Sequence, residues 1–403
     1  MRAFVCSVIA IATAATLLAQ GSPLDYPQWR GLNRDGSASA FTEPRTWPDR
    51  LTRRWKVEVG EGYATPILSG RVVYVFTRRD GNEAITSLDA ETGREQWRSA
   101  YAAPYTPSPP AAAHGAGPKA TPLLHLGKLF TLGISGIVTA FDAATGRQLW
   151  QTAAPAEPPY FSAASSPVAD SQLVMAHPGN YGPLTAFDAT TGAIVWTAGD
   201  GGFFASPIIV TLSGVRQVVT MTQSAVIGVS LPDGKVLWRF ALSGANGGGP
   251  TPVVAGDTIM FSVGQGTIAI KPRRRDGTWS AEQVWQSNDV SMYISTPVVV
   301  GNTLFGLSTR SSGQFFAMDT ESGKTLWLGP PRQAMNSALV KSGQLLFYLN
   351  DDAELIVARS SRDAFAPLKR YMVADSATWA QPMISGTRIF IKDVSSLSLW
   401  TID

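Results

Sequence analysis

Cysteine is almost absent: the 403-residue chain has one, Cys6, inside an apolar N-terminal stretch. If that stretch is removed on export, no thiol remains, which excludes disulfides, thiol nucleophiles and cysteine-ligated zinc or iron-sulfur centres. Histidine is scarce as well. The three present, His114, His125 and His177, are too dispersed to suggest a metal site or a triad. Charged residues make up only 16% of the chain. The net charge of +3 comes from 33 basic and 30 acidic residues scattered along it, so there is no electrostatic footprint for nucleic acid. The one basic cluster, Arg273-Arg274-Arg275, stands beside Asp276-Gly277 and reads as a solvated hairpin tip. "GQGTIAI" (264–270) lacks the Lys-Ser/Thr of a phosphate-binding loop and a following helix, which argues against nucleotide binding.

The N-terminus, "MRAFVCSVIAIATAATLLAQGSP", has one Arg, an apolar stretch to Leu18 and then small residues. It reads as a secretory signal over residues 1–21, with cleavage after Gly21, and is too short and poorly flanked for a retained span. Cys6 lies too early to be the lipid-modified cysteine that follows such a stretch. The mature chain is therefore expected to be periplasmic or secreted, without a membrane span. Low charge with 44% hydrophobic residues suits broad sheets around a sizeable core.

What the chain has in abundance is repetition. "SLDAETGREQW" (87–97), "AFDAATGRQLW" (140–150), "AFDATTGAIVW" (186–196), "VSLPDGKVLW" (229–238) and "AMDTESGKTLW" (317–327) share one plan, and "IKPRRRDGTWSAEQVW" (270–285) is a longer variant. Between them recur "ATPIL", "ATPLL", "SSPVA", "ASPII", "PTPVV", "STPVV", "NSALV" and "AQPMI", from Pro66 to Pro382, at a mean spacing of about 45 residues. That period fits one four-stranded propeller blade. In residues 120–152, "TPLLHL" reads as the inner strand, "LFTLGI" and "GIVTAFD" as the middle pair and "RQLWQT" as the outer strand. The Asp-x-x-Thr-Gly element is then a turn, with Asp accepting backbone N–H bonds and Gly taking positive φ. The Trp that follows covers the gap to the neighbouring blade, a role assigned to Trp55, Trp97, Trp150, Trp196, Trp238, Trp285 and Trp327.

The expected fold is all-β, a single domain over residues 51–403 preceded by an extended segment, 22–50. It is an eight-bladed β-propeller of four-stranded antiparallel blades. The last unit, 380–403, supplies only three strands, and "LTRRWKVEV" (51–59) is a strand without neighbours, so the two are expected to form one closing blade. Seven blades is the alternative, because the unit at 336–373 lacks the Pro, the Gly turn and the Trp.

The "A-[ST]-P" openings and "FDAxTGxxxW" endings resemble the repeats named after pyrroloquinoline quinone, and the likeness covers residues 51–403. Quinoprotein dehydrogenases and the non-catalytic lipoprotein that assists outer-membrane barrel assembly share these repeats. "YPQWRGLNRDG" (26–36) resembles a leader found before many bacterial propellers of this type. The dehydrogenases hold the quinone against a cysteine pair and above a Trp, with calcium bound by Glu, Asn and Asp. This chain has no such pair and no local cluster to supply the calcium ligands; Asn350-Asp351-Asp352 reads as a turn. The resemblance is therefore closer to the assembly factor, although the lipid-attachment cysteine is missing.

Propellers act through the axial funnel and its loops. The residues just before the inner strands, Tyr63, Lys119, Phe203, Phe204, Tyr293, Met335 and Trp379, are the candidates for a ligand or partner surface. No catalytic or metal-binding residue is assigned. Hydroxyls at Thr65, Thr121, Ser166, Ser206, Thr251, Thr296 and Ser337 recur too regularly to be catalytic and are expected to bond blade backbones. The Pro/Ala-rich insertion 101–119 cannot form a strand and is expected to cross one face of the ring. The expected function is a monomeric, exported, non-catalytic propeller that binds protein or a small ligand, as a scaffold in envelope assembly, with no cofactor. The alternative is an oxidoreductase using pyrroloquinoline quinone with calcium.

Overall fold

The structure, a computed structural model, describes residues 22–202, 204–243, 249–264 and 266–402. The N-terminal stretch read from sequence as a secretory signal, with Cys6, and the candidate Phe203 lie outside these residues. Eight four-stranded antiparallel sheets form a closed ring, a β-propeller with eight blades. Their strands span 67–102, 123–151, 168–198, 208–241, 253–287, 298–328 and 337–372 in blades 1 to 7. Blade 8 combines 383–401 with the strand Thr52–Glu58. That strand pairs antiparallel with Ser396–Thr401, Trp55 opposite Leu399 and Lys56 opposite Ser398. The ends of the chain thus share one sheet, leaving no blade short of a strand.

Alternation explains the strands. In blade 3, Val174, Ala176, Ala186 and Phe187 are buried while Ile194 and Val195 on the outer strand are exposed, so apolar side chains concentrate where blades face one another. The middle strands are buried over most of their length, and the outer strands are largely exposed. The long hairpin Gly266–Arg275 and Thr278–Ser287 carries the three arginines at its exposed tip.

The repeated turn is a receptor for the neighbouring blade. Asp188 Oδ1 accepts from Thr190 N–H (3.0 Å), Thr191 N–H (2.8 Å) and Thr191 Oγ1 (2.9 Å), closing the turn as its sequence implies. Gly192 has φ +74°, and a Cβ there would stand 2.6 Å from the Trp150 ring of blade 2. Glycine is needed for both the backbone and the docking surface. Trp55, Trp150, Trp196, Trp285 and Trp327 each donate an indole N–H to a carbonyl of the next blade: Ala90, Ala189, Leu231, Thr320 and Ser361. Trp97 packs on Gly146 of blade 2 in the same manner. Trp238 differs. Blade 5 has the long hairpin instead of the short turn, and Trp238 Nε1 donates to Gln217 Oε1 of its own blade at 2.6 Å.

Blade 7 is complete despite its divergent sequence, with strands Ser337–Ser342, Leu345–Asn350, Glu354–Arg359 and Ala366–Met372, so the seven-blade alternative does not apply. Residues from outside the repeat replace what it lost. Phe41 and Trp47 of the N-terminal segment pack on Phe347, with ring centroids at 5.1 and 6.4 Å. Tyr371 Oη donates to Pro48 O at 2.8 Å. The insertion after blade 1 begins as strand, through Tyr101 and Ala102, because the outer strand Glu95–Ala102 runs into it. It then forms a 3₁₀ turn at Pro109–His114 over the mouth of the ring.

Candidate functional site

A belt of hydroxyls surrounds the axis. The N–H of Gln381 donates to Thr65 Oγ1 (3.0 Å), Thr65 to Thr121 (3.3 Å), Thr121 to Ser166 (2.9 Å), Ser166 to Ser206 (2.9 Å), Ser206 to Thr251 (2.9 Å) and Thr251 to Thr296 (3.2 Å). Blade 7 joins through Ser337 N–H, which donates to Ser295 Oγ at 3.1 Å. From blade 8 round to blade 6 each opening is fastened to the next by a hydroxyl one repeat further on, which is why a hydroxyl recurs before the Pro position. At blade 7 the link runs backward to Ser295, and the Ser337 hydroxyl, expected to bond a blade backbone, is buried without a partner.

The N-terminal segment plugs one mouth of this ring. Arg34 is buried and donates to Ser166 O (2.6 Å), Pro167 O (3.0 Å) and Pro207 O (2.9 Å) of blades 3 and 4. Arg30, also buried, donates to Pro297 O (2.8 Å) and Thr296 O (3.3 Å) of blade 6. Tyr26 Oη donates to Gln381 Oε1 of blade 8 at 3.1 Å. Burial without a solvent path pushes the Tyr26 phenol well above its ordinary value. Trp29, with both guanidinium groups near its ring at 5.5 and 5.6 Å, reaches through to the other side.

Above the plug lies a chamber of about 400 Å³ that opens at the opposite mouth. Of the candidates, Tyr63, Lys119, Phe204, Tyr293 and Trp379 line it together. Met335 does not. It is 80% exposed and stands on the rim, where the N–H groups of Met335 and Asn336 donate to Asp351 Oδ1 at 3.0 Å. The Asn350-Asp351-Asp352 turn therefore shapes the rim loop. Sequence reasoning missed Trp29, His114, Phe161 and Asn336, which also line the chamber. Phe161 had a usable signal, since it precedes the inner strand of blade 3 as the other candidates precede theirs. His114 packs edge-on against Trp379 with centroids 4.4 Å apart, and Tyr63 stands 6.4 Å from both rings. Burial, and then the charge of Lys119, hold the His114 imidazole below its usual pKa. The other two histidines are elsewhere: His125 bonds Ser171 O, and His177 is buried between Gly182 O and Thr220 Oγ1.

A sequence model described as "Outer membrane protein assembly factor BamB" matches residues 81–329, more than half of the chain. The chain belongs to this family. The BamB of Yersinia pestis is 23% identical over 329 residues, covering 77% of this chain and 68% of that protein. Among solved structures, BamB from Moraxella catarrhalis superposes with a TM-score of 0.63 at 15% identity, over 87% of this chain and 97% of that one. A europium-containing methanol dehydrogenase gives 0.68 at 13% identity, over 94% and 98%. These structural likenesses show the shared propeller.

The chamber also tests whether the dehydrogenase cofactors would fit. Its lining includes a Trp floor and Asn336, yet among the described residues no carboxylate and no group of three or more His, Cys, Asp or Glu that could hold a metal ion. The Glu-Asn-Asp calcium set that the repeats imply in dehydrogenases is not assembled there, so no reaction step is derived through a quinone or calcium. No described helix is long and apolar enough to cross a membrane.

Proposed function

We propose that this chain is an exported, non-catalytic binding propeller that serves as a scaffold in outer-membrane protein assembly. The observation that carries the reading is the one-ended funnel. One mouth is filled by the chain's own leader; the other is an open cup whose rim exposes Tyr293 and Met335, 55% and 80% accessible. Large apolar side chains on an open rim mark contact surfaces. Membership of the BamB family supports assembly of outer-membrane proteins as the setting in which that surface acts.

The test is genetic. In a host lacking the gene, outer-membrane β-barrel proteins should fall severalfold in abundance and recover with the wild-type gene. A Tyr293→Asp/Met335→Asp variant, whose melting temperature should stay within a few degrees of wild type because both side chains are exposed, should not restore them. Unchanged barrel levels in the deletion strain would contradict the proposal. So would dye reduction by the purified protein after addition of pyrroloquinoline quinone and calcium.

A further inference from the structure

Lys119 is the one charged side chain in the chamber lining among the described residues. Its Nζ donates to Ser162 Oγ at 3.2 Å, and no carboxylate shares the lining to neutralise it. Removing an ammonium from water without an anionic partner is unfavourable, and burial pushes Lys119 down to about 8. A second feature converges on the same point. Ser162 has φ +101°, a region that L-residues rarely adopt, and it is almost fully buried. Its backbone N–H donates to Pro159 O at 3.3 Å. Backbone strain of this kind is retained where a side chain must be held in one place. The remaining walls are rings: Trp29 below, Trp379 with His114 on one side, Phe161 and Phe204 on another. At about 400 Å³ the space suits one ring with a short tail.

We propose that the chamber binds a ligand with one carboxylate and one aromatic ring, the carboxylate received by Lys119 Nζ and Ser162 Oγ and the ring held among the aromatic walls. The same chemistry is offered by a free arylalkanoic acid and by the C-terminal phenylalanine of a polypeptide. This inference stands apart from the assembly role: the chamber binds such a group whichever process the protein serves.

Isothermal titration of the mature chain with 3-phenylpropanoate and with 3-phenylpropanamide, and with a hexapeptide ending in Phe as its free acid and as its amide, tests it. At pH 7 the acid of at least one pair should bind tenfold or more tighter than its amide. Lys119→Met, which keeps the apolar stem, should remove that preference and leave amide binding unchanged. Wild-type affinity for the acid should fall about tenfold between pH 7 and 9.5 as Lys119 loses its proton. His114, held below its usual pKa, and Tyr63, raised above its own by burial, titrate outside that window. Lys119→Met should show no such dependence. Preference for the small acid identifies a free ligand, and preference for the peptide acid identifies a partner's chain terminus. Equal binding of acid and amide in both pairs, or no binding at millimolar concentration, would overturn the proposal.

Discussion

Removal of residues 22–59 should leave the protein without a cooperative thermal transition, and adding those residues back as a separate peptide should restore one. Leu51 and Val59 are buried in the ring, and Trp55 and Val57 pack on the same core as Leu397 and Leu399. At about 1.5–3 kcal/mol for each large apolar side chain fully buried, and less for the two half-buried ones, the strand alone contributes roughly 6 kcal/mol. That is comparable with the whole stability of a typical domain, about 5–15 kcal/mol. Its loss also bares the backbone edge of Ser396–Thr401, which is an aggregation hazard. The peptide should rescue in trans because it re-enters as an edge strand with an existing template. Scanning calorimetry provides the measurement. A truncated chain that melts within a few degrees of the full one would show that the ring does not depend on this closure.

Arg34→Ala should be the most damaging single substitution in the leader, costing about 3–5 kcal/mol. The guanidinium satisfies three carbonyls just before the inner strands of two blades, and no carboxylate is among its hydrogen-bond partners. Taking it away leaves those buried oxygens without a donor, at about 1–3 kcal/mol for each that water cannot reach. Arg34→Lys should recover only part of this, since a point-like ammonium cannot span carbonyls on two blades as the planar fork does. The readouts are the urea midpoint and the rate of tryptic cleavage within residues 26–36, which should rise as the plug loosens. Wild-type cleavage and stability in Arg34→Ala would mean that the leader is an ornament on an already stable ring.

The contrast between these two predictions shows what a sequence carries. The closing strand was legible because Trp55 occupies the place of the repeated Trp while its strand has no neighbours, and a four-stranded sheet demands a partner. The blade count was legible for the same reason: a turn that must hold Asp and Gly, and a Trp that must reach it, leave marks at a fixed period. The plug was not legible. Arg30 and Arg34 bond to backbone carbonyls, which every residue possesses, so nothing in the blade sequences announces their partner. Blade 7 looked degraded because its covering aromatics, Phe41 and Trp47, come from a segment some 300 residues away in sequence. Position before an inner strand picked out Tyr63, Lys119, Phe204, Tyr293 and Trp379, which line one chamber. Position does not set side-chain direction, which is why Met335 points out onto the rim. Trp29 and His114 enter from the leader and the insertion, outside the repeat altogether.

The most direct measurement of the central claim uses the scarcity of cysteine. With Cys6 replaced by Ser, Lys56→Cys and Ser398→Cys would supply the only two thiols, one near each end of the chain, at positions that face each other across the closing sheet. Antiparallel partners stand close enough for a disulfide. Under mild oxidation the account predicts near-complete intramolecular cross-linking, seen by mass spectrometry and as faster migration in a non-reducing gel, with a melting temperature higher than that of the reduced protein. Thiols that stay free, or that join only between molecules, would place the two ends of the chain apart and contradict the closed eight-bladed ring.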